Sequence, residues 1–239
     1  MKKTLPTKAR VCIVIPAYNE GSVIGSVVGD ITKSFTAAKQ DFQIVVVNDG
    51  SKDNTSEAAR QAGAHVIDHI LNSGAGGATA TGLSSADQNN FTIAVTMDAD
   101  GQHSPDDALR GIAEIQQRQA DLLIGSRLID SKGMSVVKMI GNWGLSFITY
   151  VLFGVKTTDS QSGLRVYSRK ALETLRWRTS GYEFCSEMIW RARQAGLIID
   201  EFPIKAIYTE YSKGKGQNNW NGINIVKSLV RRRIVELFE

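Results

Sequence analysis

The sequence has 239 residues, 42% hydrophobic and 22% charged, with a net charge of +4. That balance excludes a disordered or fibrous chain and one that binds nucleic acid through bulk charge, and it gives length enough for a sizeable core. Cys12 and Cys185 stand far apart in apolar surroundings, which excludes a disulfide framework and predicts buried thiols in a reducing compartment.

The opening Met1-Lys2-Lys3-Thr4-Leu5-Pro6 is too polar for a signal peptide. Residues 11–15 form an apolar, β-rich run ended by Pro16, read as a buried strand. Asn19-Glu20 leads into a helix over residues 23–35. A second buried strand, 42–47, closes on Asn48-Asp49-Gly50-Ser51, and an Ala-rich helix over 57–62 follows. Residues 65–67 read as a short third strand, with His65 and His69 as ordinary residues near it. After the glycines of 74–77 comes a helix over 78–87, then a fourth strand over 91–97. Ser104-Pro105-Asp106-Asp107 is a strong helix start, with Pro near the first helical position and acids in the first turn. Residues 121–124 are a fifth strand.

This alternation predicts an α/β fold, a mostly parallel sheet flanked by helices. Ligands of such sheets bind beyond the carboxyl ends of the strands. Here those ends carry Asn19-Glu20, Asn48-Asp49 and Asp98-Asp100. With no Pro/Ser-rich linker, low-complexity tract or repeat, residues 1–239 are expected to form a single domain. The second half is less regular. Residues 139–155 carry no charge but include Asn142, Gly144 and Gly154, so a buried helix or one lying in the plane of a membrane fits better than a span. From Ile223 onward apolar residues recur at helical spacing among Lys227 and Arg231-Arg232-Arg233. That pattern suits packing on the domain or a basic amphipathic helix on an anionic membrane surface.

The acidic pair Asp98-Ala99-Asp100 follows the fourth strand. Two carboxylates on one turn can meet one hard cation, Mg²⁺ or Mn²⁺, which keeps water and substrate phosphates in its shell; Gln102 could add a neutral oxygen. A bare acid pair also occurs in turns and helix caps, and its place at a strand end raises its weight. Asn48-Asp49-Gly50-Ser51 is a common turn, or a carboxylate that accepts a base N–H. The glycines of 72–78 would let a phosphate or sugar approach the backbone closely. They are no P-loop, lacking Gly-Lys-Ser/Thr.

The series Ile15-Pro16-Ala17-Tyr18-Asn19-Glu20, Val47 to Ser51, Asn72 to Gly77, Asp98 to Gln102 and Gly125-Ser126-Arg127 resembles the family-two glycosyltransferases of GT-A (Rossmann-like) fold. Within them it resembles the dolichyl-phosphate mannose synthase-like, or polyprenyl-phosphate, branch. The resemblance runs from Val11 to Lys215. It implies that Pro16, Ala17, Tyr18, Glu20 and Asp49 hold the nucleoside of a GDP- or UDP-sugar. Asp98, Ala99 and Asp100 with Gln102 would hold the metal and diphosphate. Arg127 and Arg165 would meet phosphate, Ser162 would add a hydroxyl, and Lys213 and Lys215 would lie on a loop closing over donor and acceptor. The family's Lys within the glycine segment is replaced by Ala75. The long apolar C-terminal tail of its anchored members is not present in this sequence, so a peripheral place at the cytoplasmic membrane face is expected, through residues 139–155 and an amphipathic tail helix.

The expected reaction is an inverting transfer of a hexose from GDP-mannose or a UDP-sugar to a polyprenyl phosphate. Residues of about 9–130 would bind the donor, and about 131–239 would face acceptor and membrane. Asp159 is the candidate additional carboxylate, near the metal or as a base. The alternatives are transfer to a sugar hydroxyl, which needs a true general base, a sugar-phosphate nucleotidyltransferase, and a non-catalytic binding protein.

Overall fold

The computed structural model describes residues 9–130, 136–205, 207, 225–231 and 233, with 136–138 described by backbone alone. Seven strands form one sheet in the order β3-β2-β1-β4-β6-β5-β7. They are β1 (Val11–Ala17), β2 (Phe42–Asn48), β3 (His65–Asp68), β4 (Ile93–Thr96), β5 (Leu122–Ser126), β6 (Arg165–Ser168) and β7 (Ile199–Pro203). Every pairing is parallel except those of β6, which runs against both β4 and β5. The expected mostly parallel sheet is therefore present. The one reversed strand had no counterpart in the sequence reading.

Strand β1 lies between β2 and β4 and alternates between two cores. Val11, Ile13 and Ile15 face a cluster with Ile24, Val28, Ile31 and Phe35 of α1 (Ile24–Ala37) and Ala108, Ile112 and Ile115 of α4 (Pro105–Arg118). Cys12 and Val14 face the other cluster. It includes Ala78, Leu83 and Ala86 of α3 (Gly74–Gln88), Leu172 of α6 (Arg169–Thr174), and Met188 and Ile189 of α7 (Phe184–Gln194). Each fully buried aliphatic or aromatic side chain contributes about 1.5–3 kcal/mol over exposure. Both thiols are free and buried, and burial pushes that of Cys12 up to about 12.

Pro16 belongs to β1 instead of ending it, and costs no ladder bond. The carbonyl of Val14 faces β4, where it accepts from Met97 N at 3.0 Å. Alternation puts the Pro16 nitrogen on the same side, past the last β1–β4 pair, Val14↔Thr96. Helix α4 starts as its sequence dictates. Ser104 Oγ accepts from Asp106 N, Pro105 follows the cap, and Asp106 and Asp107 lie in the first turn. Helix α2 (Thr55–Gln61) begins two residues before its predicted start, and α3 begins at Gly74, taking in the glycines placed before it.

Helix α5 (Val136–Phe153) buries Phe153 and packs Leu145 and Leu152 on the second core, yet its outer side is apolar as well. Its buried side includes the hydroxyls of Ser146 and Thr149. Its exposed side carries Ile140, Trp143, Phe147, Tyr150 and Val151, with Trp143 63% exposed and stacked on Phe147. No helix among the described residues is long and apolar enough to cross a membrane. The described part of the tail, residues 225–231, is helical and packs Ile225 and Leu229 into the second core.

Candidate active site

One rim of the sheet gathers the sequence-predicted residues. The carboxyl ends of β1, β2, β4 and β5 lie there. Because β6 is reversed, its first residue joins them: Arg165 pairs with Thr96 of β4 and Ile124 of β5. A loop that precedes a strand thus meets loops that follow strands.

The loops after β1 and β2 are knitted together. Asn19 N donates to Ser51 Oγ at 2.9 Å, Lys52 N to Asn19 Oδ1 at 2.9 Å, Glu20 N to Thr55 Oγ1 at 2.9 Å and Gly21 N to Asp53 Oδ2 at 2.9 Å. Ala17 is buried, Pro16 and Glu20 are half-buried and Tyr18 is exposed, so these candidates border one another.

Asp49 is placed differently from a residue waiting for a base. It is 3% exposed. Its Oδ1 lies 2.8 Å from His69 Nδ1 and accepts from Ser73 N at 2.8 Å and Ser73 Oγ at 2.7 Å, while Oδ2 accepts from Gly74 N at 2.8 Å. Burial pushes its carboxyl up, but the bonds from Ser73, His69 and Gly74 outweigh this and hold it below the usual range. Asp49 therefore organises the start of α3. His69, read from sequence as ordinary, is part of this network and reaches Thr81 Oγ1 at 3.0 Å through its other nitrogen. No spacing signal marked it.

The glycine segment also serves the protein's own backbone. Gly76 N donates to Ser180 O at 2.7 Å. A Cβ on Gly74, at φ 82°, would meet Ser180 O at 2.4 Å, and one on Gly76 would meet Thr179 O at 2.5 Å. The close approach expected of a phosphate or sugar is made by residues 179–180. These are fixed in turn by Glu187, which accepts from Thr179 N at 2.8 Å and Thr179 Oγ1 at 2.7 Å.

Asp98, Ala99 and Asp100 form the turn after β4. The Asp98 side chain is 48% exposed, and its Oδ2 lies 2.9 Å from Nε2 of His103, whose ring is 2% exposed. His103 is the second partner that sequence missed. Asp100 accepts from Gln102 N at 3.0 Å and from its amide Nε2 at 2.5 Å. Although the Asp98 side chain reaches the surface, the protein packed around its carboxyl pushes it up, but His103, and then Arg127 and Arg165, outweigh this and leave Asp98 below its ordinary value. Asp100 moves the other way, raised by burial and then by the charge of Asp98. Two neighbouring carboxylates with opposed shifts are a site that a cation relaxes.

The donor set fits a hard divalent ion. It offers carboxylate oxygens and leaves coordination positions for phosphate and water. Among the described residues no group of three or more His, Cys, Asp or Glu could hold a metal ion. Gly163 abuts the pair, since a Cβ there would lie 2.2 Å from Asp98 Oδ1. Next to it Ser162 Oγ is buried without a hydrogen-bond partner among the described residues, as is His103 Nδ1.

Asp159 is fully buried. Its carboxylate takes Arg127 Nε at 2.7 Å, Arg127 Nη2 at 2.9 Å and Arg127 N at 3.2 Å, a forked pair. Arg165 is 1% exposed and donates to Ser160 O at 2.8 Å and Ser162 O at 3.0 Å. It braces the loop from beneath, so its approach to the ligand side is electrostatic, through Asp98. Lys213 and Lys215 lie outside the described residues.

A family model described as Glycosyl transferase family 2 matches residues 12–176. The chain is 40% identical over 249 residues to a UDP-N-acetylglucosamine–dolichyl-phosphate N-acetylglucosaminyltransferase of Methanococcus voltae, covering 95% of this chain and 97% of that one. It is 30% identical over 218 residues to an undecaprenyl-phosphate mannosyltransferase of Micrococcus luteus, covering 86% and 87%. Among solved structures, glucosyl-3-phosphoglycerate synthase from Mycobacterium tuberculosis, in complex with Mn²⁺ and UDP-glucose, shares the fold. That match has a TM-score of 0.68 at 19% identity, covering 93% of this chain and 77% of that one.

Proposed function

The chain belongs to glycosyl transferase family 2, and from that premise we propose that it moves a hexose from a nucleoside-diphosphate sugar to a polyprenyl phosphate, with inversion at the anomeric carbon. The observation that carries the acceptor is the burial of Asp159 against Arg127. A sugar hydroxyl needs a carboxylate to take its proton, and the candidate base is engaged at both oxygens. A lipid phosphate is already ionised near neutral pH and needs orientation and charge complementarity instead. The named relatives from Methanococcus voltae and Micrococcus luteus act on lipid phosphates by their names, which supports the same reading.

In this reading the loops after β1 and β2, with Pro16, Ala17, Tyr18 and Glu20, hold the nucleoside. Asp49 shapes that wall from behind. Asp98 and Asp100, with Gln102 beside them, hold Mg²⁺ or Mn²⁺, which when bound neutralises the diphosphate leaving group. His103 keeps Asp98 oriented, and the Ser162 hydroxyl, buried and without a hydrogen-bond partner among the described residues, would meet a phosphate oxygen only where the adjoining loop yields. Arg127, braced by Asp159, presents the positive edge that places the acceptor phosphate, and Arg165 holds the loop that makes this possible. Residues of about 9–130 form the donor half and about 131–239 the acceptor half.

The apolar outer side of α5 supports peripheral attachment to an anionic membrane, which this reading assigns to the cytoplasmic face. Aromatic and aliphatic side chains point outward, while Lys156 follows the helix and Lys227 and Arg231 are exposed on the tail helix.

The test is incorporation of label from UDP- and GDP-sugars into glycolipid, with polyprenyl phosphate and Mn²⁺ or Mg²⁺. UDP-N-acetylglucosamine is the first donor to try, given the relative from Methanococcus voltae. Metal-dependent labelled lipid is expected. Transfer to a sugar hydroxyl, with none to any lipid phosphate, would overturn the acceptor assignment.

A further inference from the structure

Glu201 sits on the edge strand β7, opposite Ile124 of β5 in the parallel register. Its backbone pairs with β5, but its side chain serves a different segment. The carboxylate accepts from Thr157 Oγ1 at 2.7 Å, Thr158 N at 2.8 and 3.0 Å, Thr158 Oγ1 at 3.0 Å and Asp159 N at 3.4 Å. These donors come from three consecutive residues, the last of which carries the carboxylate that holds Arg127. Thr158 Oγ1 also lies 2.6 Å from Ser126 Oγ, on the residue preceding Arg127. The segment entering β6 is thus held by one acidic side chain of a third strand, and its Thr158 ties it directly to the segment leaving β5.

We propose that Glu201 is a positioning residue for the acceptor side of the reaction. By capping the 157–159 turn it fixes where Asp159 stands, and hence where Arg127 presents its guanidinium to the incoming phosphate. Hydrogen bonds to a carboxylate are stronger than neutral ones, so a turn held by several of them sets its geometry closely. The donor side does not depend on it, because Asp98, Asp100 and the β1 and β2 loops are fixed by His103, Gln102 and the contacts among residues 19–55.

The proposal rests on the lipid-phosphate reading above, and its test keeps the two apart. Wild type, Glu201→Gln and Glu201→Ala are assayed with Mn²⁺, the sugar nucleotide the wild type uses and polyprenyl phosphate. Glu201→Ala is expected to raise acceptor KM or lower kcat by about tenfold, the equivalent of one charge-assisted hydrogen bond, with donor KM changed by less than about twofold and Glu201→Gln falling between. Thr158→Val should give the same split, and combining it with Glu201→Ala should add little, since both act through one turn. Amide exchange should quicken in the peptide spanning 157–162 and not in β1 or β2. Donor and acceptor parameters declining together, unchanged kinetics, or faster exchange spread over the sheet would each overturn the role of Glu201. A wild type that labels no lipid phosphate fails the acceptor reading itself. An active wild type with indifferent variants fails the Glu201 proposal alone.

Discussion

Gly163 faces the Asp98 carboxylate so closely that a Cβ there would lie 2.2 Å from Oδ1, 2.4 Å from Oδ2 and 2.5 Å from the carboxyl carbon. Glycine is therefore required by the acidic pair and not by the turn it occupies. Gly163→Ala should push Asp98 off His103 and weaken binding of Mn²⁺ with nucleoside diphosphate by about tenfold, roughly 1.4 kcal/mol. Titration calorimetry measures this directly. Affinity equal to wild type would show that Asp98 does not depend on that gap.

Asp100 is held where its own charge is disfavoured. Burial and the charge of Asp98 raise its carboxyl above the ordinary range. A carboxyl whose folded pKa is raised binds its proton better in the native state, so stability falls as pH rises from the unfolded value through the folded one. At neutral pH the ionised group destabilises, and Asp100→Asn should melt a few degrees higher, about 2–4 °C, in chelator. The same variant should lose the stabilisation that Mn²⁺ gives the wild type. Mn²⁺ affinity of the wild type should decline as pH falls through the raised value, because the cation competes with the proton. Thermal melts with and without Mn²⁺ across pH check each part.

Asp49 behaves in the opposite sense. Burial works against its charge, yet the bonds from Ser73, His69 and Gly74 hold its carboxyl low. Its contribution is present above the unfolded carboxylate value and is lost as pH falls through the depressed folded one. Asp49→Ala leaves the amides of Ser73 and Gly74 without their acceptor and should cost about 2–4 kcal/mol by urea unfolding. A loss below about 0.5 kcal/mol would mean that water replaces the carboxylate.

Cys12 is buried with its thiol raised to about 12. Both thiols should resist a disulfide reagent in the native protein and react only in denaturant. Rapid native labelling would place one of them at an opening that the fold does not show.

Trp143 and Phe147 stack on the outer face of α5. Replacing both with Ser should weaken sedimentation with anionic vesicles while changing stability by less than about 1 kcal/mol, since both are exposed. Undiminished vesicle binding would move the membrane contact elsewhere.

Much of this was legible in the residues. The runs at 11–15 and 42–47 declared themselves as buried strands, and the Ser104-Pro105 start fixed α4. The acidic pair fell at a strand end as expected. The sequence was silent where partners come from far away. Strand β6 opens with Arg165, a residue that no strand pattern places in a core, and it enters the sheet out of order. His103 meets Asp98 only because the turn after β4 folds back, and His69 reaches Asp49 only across β2 and β3. The glycines at 74–77 look alike whether they admit a phosphate or a neighbouring loop; only the position of Ser180 decides.

The insertion of β6 also governs how the molecule can be made. Strand β5, wholly buried in the finished sheet, pairs only with β6 and β7, both of which come later in the chain. During synthesis Leu122-Leu123-Ile124 emerges with no neighbour, and β4 keeps one edge open until residues 165–168 arrive. A chain halted in that interval carries unsatisfied, apolar strand edges of the kind that recruit other chains. Strands β1, β2 and β3 can assemble early, but the acidic pair gains its far wall only when the reversed strand slides between two that were already waiting.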